Sequence, residues 1–305
     1  RLLLNRFSKY SIALVGTLFF ILSPRIYGSS FFNTKDIIFL SLATIALYYS
    51  FKALEKNSYK NLFIFSIFCA ICTSSRILGI IFPISFMIFY FLSFSLESKN
   101  LKMIIFFITC YLIFLVIFWP ALWGNPIENF ILAFKYFSDL QGFNIKMLFN
   151  GKYIHTHYLP YSYIFTWILI TTPILYTALF LIGYFYIFKR FFKKFINIEE
   201  KSKDPDLWRD INEKKDLFML FILTSVIFYL ITFNVILYTG WRQIYFLNIF
   251  LIYMSTYGLY KIDINLKSKI KSNIQFGVIA LFLFFIVYKM IIYHPYQNIY
   301  FNSVF

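Results

Sequence analysis

Apolar residues in this chain fall into long runs. They show neither the alternation of a half-buried strand nor the one-sided stripe of a surface helix. Runs at roughly 10–24, 37–51, 61–75, 77–95, 102–119, 161–188, 217–237, 244–260 and 274–293 each predict a membrane-crossing helix. A helix is the open-chain structure that satisfies its own backbone in hydrocarbon. Several runs are shorter than the ~20 residues of a perpendicular span. Their helices are expected to continue into the interface, where Tyr and Trp anchor them. Runs three and four are separated only by the short SSRILG stretch around Arg76. The expected fold is all-α: a polytopic bundle of about nine transmembrane helices forming one domain over 1–305.

Composition agrees and removes one class. At 60% hydrophobic and 14% charged, with mean hydropathy +0.71, the chain is no soluble domain. A net charge of +16 would fit a nucleic-acid binder, but its distribution argues otherwise. Alternate loops at 1–9, 52–60, 97–102, 189–216 and 261–271 hold 21 of the 29 Lys and Arg. That asymmetry orients the bundle with residue 1 on the cytoplasmic side of a membrane and residue 305 outside. No nucleic acid is expected as a partner. The 189–216 loop carries seven acidic residues and is expected to be a solvated cytoplasmic loop, with room for one surface helix and no catalytic role. Residues 120–160 are expected as the long outer loop. Cys69, Cys72 and Cys110 all sit inside apolar runs. The CxxC at 69–72 has neither a second pair nor a nearby His, so it reads as helix packing and not as a zinc or redox motif. No P-loop, GxGxxG, HExxH or GxSxG motif stands in a suitable context.

The candidate chemistry lies on the other, sparsely charged side. The segment SPRIYGSSFFNTKD at 23–36 places Arg25, Asn33, Lys35 and Asp36 at a membrane edge, where ionised side chains are costly. Asn33 reads as a cap for the second span, with Asp36 in its first turn; that position suits a carboxylate whatever its function. The functional reading of Asp36 is a carboxylate that orients or deprotonates an acceptor hydroxyl, or binds a metal. Arg25 and Arg76 lie at outer span ends. Arg242, in the tight YTGWRQ turn, is the most pointed candidate, because its planar donor fork matches phosphate oxygens. Lys35 reads either as a snorkelling anchor or as a further phosphate contact. His294, beyond the last span, is a possible phosphate donor or an interfacial ring. His155 and His157 would face the same way in an extended segment and are weak candidates for a divalent metal. Trp119, Pro120 and Trp123 read as part of the aromatic belt, with the lining of a sugar site as the lesser alternative.

These outer segments resemble the membrane glycosyltransferases of the GT-C superfamily. The likeness is to glycosyltransferase family 39 and to bacterial proteins similar to dolichyl-phosphate-mannose protein mannosyltransferases. It lies in SPRIYGSSFFNTKDIIF, SRILGIIFP, WPALWGNPI, LPYSYIFTWILITTPI, LYTGWRQIYF and HPYQNIYFN, in that order. The resemblance implies a periplasmic active site that passes a sugar from a polyprenyl-phosphate donor to a hydroxyl acceptor on a glycan, lipid or protein. Some relatives use a divalent metal ion. It implies donor-phosphate contacts from Arg242, Arg25, Arg76, His294 and Lys35, with Asp36 as the second acid of the family's pattern. The first acid of that pattern has no counterpart here. The chain is therefore expected to be a fragment whose main catalytic base and amino-terminal spans precede Arg1. The alternative reading is a transporter or flippase of a lipid-linked saccharide. Such a protein would carry polar residues deep within several spans, whereas here the charges gather at span ends.

Overall fold

The computed structural model describes residues 1–56, 58–92, 98–138, 145–196, 210–266 and 269–303. These form thirteen α-helices and one hairpin. The helices are α1 (Leu2–Phe7), α2 (Tyr10–Ile21), α3 (Pro24–Ser29), α4 (Asp36–Glu55), α5 (Tyr59–Ser75), α6 (Ile81–Phe91), α7 (Ser98–Phe118), α8 (Pro126–Ser138), α9 (Tyr163–Thr171), α10 (Ile174–Ile196), α11 (Ile211–Thr232), α12 (Leu247–Asn265) and α13 (Lys269–Ile292). Strands β1 (Lys146–Phe149) and β2 (Lys152–His155) pair antiparallel, with Leu148 opposite Tyr153. Short 3-10 turns lie at Ile77–Ile80, Pro120–Leu122, Arg242–Ile244 and Gln297–Ile299.

The all-α membrane bundle is thus observed. Five of the described helices are long and apolar enough to cross a bilayer, at 36–55, 100–118, 174–192, 211–232 and 272–292. Three shorter apolar helices, at 10–21, 59–75 and 77–91, join them. The run expected as one span over 161–188 is two helices. Pro173 has no N–H to donate and drives the preceding Thr172 to an extended conformation (φ −100°, ψ 139°), so α9 ends and α10 begins anew.

Burial sorts the helices into inner and outer members. From Leu247 to Leu259, α12 is buried on every side. By contrast, α7 and α13 present Ile105, Leu112 and Ile117, and Ile274, Leu281 and Phe284, outward. Lipid tails are as apolar as these side chains and give little force to pull them together, so close packing must join the inner helices. Gly183 of α10 and Gly258 of α12 meet this need. A Cβ on Gly183 would collide with the Met254 carbonyl, and one on Gly258 with the Leu179 carbonyl.

Charge collects at the two ends of the bundle. The 20 residues of α4 run from Asp36 at one end to Glu55 at the other, about 30 Å of helix and close to the hydrocarbon thickness. At the Glu55 end, Arg6 makes a two-pronged ion pair with Asp216 (2.6 and 2.5 Å), and the Tyr253 hydroxyl donates to the same carboxylate at 2.7 Å. Burial opposes the Arg6 charge, but Asp216 outweighs it and raises the guanidinium above its ordinary value. Lys215 pairs with Glu55 and donates to Asn5 Oδ1 at 2.7 Å; Arg190 reaches Glu213 at 3.2 Å; Lys9 reaches Asp263 at 2.5 Å. The 189–216 stretch is therefore helical at both ends. Its last residues, Glu213 to Asp216, are buried in the first turns of α11 and not solvated; α1 brings partners to Lys215 and Asp216, α4 to Lys215 and α10 to Glu213. Residues 197–209 lie outside the described part. The 120–160 stretch likewise contains α8 and the hairpin.

Candidate functional site

The opposite end of α4 holds the candidate site. The Asp36 N–H donates to Asn33 Oδ1 at 3.0 Å, and Asn33 Nδ2 donates back to Asp36 Oδ2 at 2.7 Å. The N-cap position of α4 is Lys35, and Asn33, two residues before it, holds the first helical N–H and the carboxylate together. Asp36 is 3% exposed, yet two cations reach it. Arg76 pairs through Nη2 with Oδ1, and Arg242 approaches Oδ2 through Nε at 3.3 Å.

Each arginine is delivered by a distinct local device. Arg76 is the extended residue that ends α5 (φ −150°, ψ 130°), so its side chain leaves the helix toward α4. Burial pulls its guanidinium down from the ordinary value; Tyr238 opposes this and the Arg242 charge adds to it. An arginine so perturbed still remains a cation. Arg242 is set by a turn in which Thr239 (φ 58°) and Gly240 (φ 72°) are both left-handed. The turn is held from α9. Gly240 N–H donates to the Tyr163 hydroxyl at 3.2 Å, and Trp241 Nε1–H donates to Thr171 Oγ1 at 2.8 Å. Trp241 is buried, while Arg242 stays 40% exposed and lies over the Tyr238 ring.

Arg25, in α3, is buried in a different setting. Its Nε donates to the Tyr300 carbonyl at 2.9 Å, and the guanidinium lies 4.7 Å from the Phe301 ring and 5.3 Å from that of Trp167. Burial lowers its pKa, with Tyr245, three residues past Arg242, opposing the shift. Among the described residues no carboxylate pairs with it. The structure therefore joins Asp36, Arg76 and Arg242 in one contact, whereas Arg25 lines a separate small pocket with Trp241, the residue before Arg242. Lys35 is exposed beside Asp36. His294 is exposed and shares a hydrogen bond with Gln297 (3.1 Å) and not with this centre.

The histidine pair is not extended. His155 ends β2 and its carbonyl accepts the Tyr158 N–H at 3.0 Å, so the chain turns at His157. Among the described residues, no group of three or more His, Cys, Asp or Glu could hold a metal. Asp36, already facing two guanidinium groups, is a poor cation ligand. Cys69 and Cys72 are buried free thiols on α5.

Sequence reasoning missed Asn302. Its Nδ2 donates to the carbonyls of Leu169 (2.6 Å) and Thr172 (2.9 Å), and its N–H to that of Ile170 (2.8 Å). These are the carbonyls that the break at Pro173 leaves over. The same tail lies on α3, where Gly28 abuts Gln297 and Asn298 too closely for a Cβ. Beside this junction opens an apolar cavity of about 540 Å³ between α9, α10, α11 and α12, lined by Leu169, Tyr176, Phe180, Leu223, Ile227 and Leu251 among others.

These features define a polytopic membrane protein with a surplus of positive charge gathered around one buried carboxylate at one end of its bundle. Residues 2–123 match the family model described as dolichyl-phosphate-mannose-protein mannosyltransferase. The match spans Arg25, Asp36 and Arg76, and it supports a membrane glycosyltransferase of the GT-C type. No curated protein and no solved structure matches the chain.

Proposed function

We propose that this chain transfers a sugar from a polyprenyl-phosphate donor to a hydroxyl acceptor, at the Asp36 end of the bundle, on the periplasmic face of a bacterial inner membrane. The observation that carries the reading is one carboxylate held against two guanidinium groups. Asp36 neutralises one of Arg76 and Arg242; the other charge, with those of Arg25 and Lys35, remains for an anion. In the reaction, the bond between the sugar anomeric carbon and the phosphate oxygen breaks, and its electron pair stays on the lipid phosphate. The acceptor oxygen forms the new bond and gives its proton to a base. Arg242 and Arg76 stand where charge grows on the leaving phosphate, and such fixed cations lower the barrier because they need not reorganise. Asp36, with both oxygens engaged, serves as a positioning residue that aims the arginines. The apolar cavity beside α9 suits the isoprenoid chain.

The test is transfer from radiolabelled polyprenyl-phosphate sugars by the full-length protein in lipid nanodiscs. Transfer should fall by two orders of magnitude or more in Arg242→Ala, on the scale of removing one transition-state donor, about 10²–10³. Arg242→Lys should recover little of it, since an ammonium lacks the planar fork. Lipid translocation across vesicles without sugar transfer would overturn the reading.

A further inference from the structure

Helix α8 lies outside the site and is unexplained by it. It is tied firmly to the bundle: Asn129 Nδ2 donates to the Ala121 carbonyl at 2.6 Å, and Phe130 meets Trp119 edge-on at 6.0 Å. It also touches the 3-10 turn Ile77–Ile80, which directly follows Arg76. Next to this packed side runs a second apolar line. Ile127 and Ile131, four residues apart, share one face. They are 79% and 49% exposed, and Trp123 before them is 66% exposed. Glu128 and Lys135 lie together on the adjacent flank, seven residues apart.

What covers this line is indicated by its neighbour. The Trp123 indole N–H donates to the Val116 carbonyl at 2.8 Å, which pins the ring to the last turns of α7. There α7 turns Ile113 and Ile117 outward into lipid. Trp123 thus continues the lipid-facing surface of a span to its edge, with its polar edge satisfied and its ring outward, as interfacial tryptophans sit. Ile127 and Ile131 extend that surface beyond the span, while the charged flank suits the head-group region. The geometry points to α8 as an interfacial helix, its Trp123–Ile127–Ile131 line sunk into the head-group and acyl boundary of the bilayer. Because α8 packs on the turn after Arg76, the membrane surface thereby braces the arginine side of the site.

Site-directed spin labelling tests this in the whole chain. With Cys110→Ser as background and the two remaining cysteines buried, single labels are placed at Ile127→Cys, Ile131→Cys, Glu128→Cys and Tyr136→Cys. The protein is reconstituted in phosphatidylcholine–phosphatidylglycerol nanodiscs, and collision with oxygen and with a water-soluble nickel chelate is compared. Labels at 127 and 131 should favour oxygen over nickel, and labels at 128 and 136 the reverse. Equal nickel access at all four positions would overturn the proposal. So would protection of 127 and 131 from both reagents, the mark of a protein partner or a second copy. Retained thermal unfolding of each labelled variant excludes misfolding as the cause.

Discussion

Asp36 and Arg76, forty residues apart in sequence, form an ion pair at the end of α4, and Arg242 approaches the other oxygen of the same carboxylate, the one that accepts from Asn33. Neutralising Asp36 leaves two guanidinium groups facing each other. Breaking a fully buried pair costs about 3–5 kcal/mol; the partial exposure of both arginines reduces this to roughly 1–3 kcal/mol for Asp36→Asn. The double variant Asp36→Asn/Arg242→Gln should lose less than the sum of its parts, because the repulsion goes with the second charge. Thermal unfolding in detergent measures both.

At the other end, Asp216→Ala should be more damaging. The partner Arg6 is buried and would be left with no opposing carboxylate in its two-pronged contact. A loss of about 3–5 kcal/mol is expected. Arg6→Met/Asp216→Leu, which removes both charges, should unfold at a temperature well above that of the single variant. A double variant no more stable than Asp216→Ala alone would show that the pair does not carry this stability.

Gly183 and Gly258 set the distance between α10 and α12. Overpacking commonly costs about 1–3 kcal/mol. A Gly183→Leu change, which meets backbone and not a movable side chain, should reach or exceed the upper end. The readout is folded yield by size-exclusion chromatography, with Gly277→Leu on the open face of α13 as the tolerated control.

Asn302→Leu should strand the Leu169 and Thr172 carbonyls at the α9–α10 break. Unpaired buried acceptors cost about 1–3 kcal/mol. Since the same tail carries the Tyr300 carbonyl and Phe301 ring that hold Arg25, the variant should also lower sugar transfer. Faster limited proteolysis beyond Ile292, at unchanged overall helicity, would identify the released tail.

The bundle itself was legible, because apolar runs without interruption admit little else in lipid. Legibility stopped where partners are distant. YTGWRQ marked Arg242 as unusual, yet nothing local shows that its carboxylate stands at Asp36. The acidic and basic residues from Glu213 to Asp216 read as a solvated loop because a charge run looks the same whether water or neighbouring helices answer it. Asn302 gave one faint signal: a proline at 173 inside an apolar run must leave carbonyls for something to satisfy. In α8 the four-residue spacing of Ile127 and Ile131 was helical periodicity, hidden within a stretch read as loop.

Helix α4 has a mechanical consequence. Its first residue is bolted to Arg76 and Arg242, and its last to Lys215, so it works as a strut of fixed length between the two leaflets. A slide of one helical turn would break both fastenings together. In a thinner or thicker bilayer the protein must therefore lean as a unit or make the lipid deform around it.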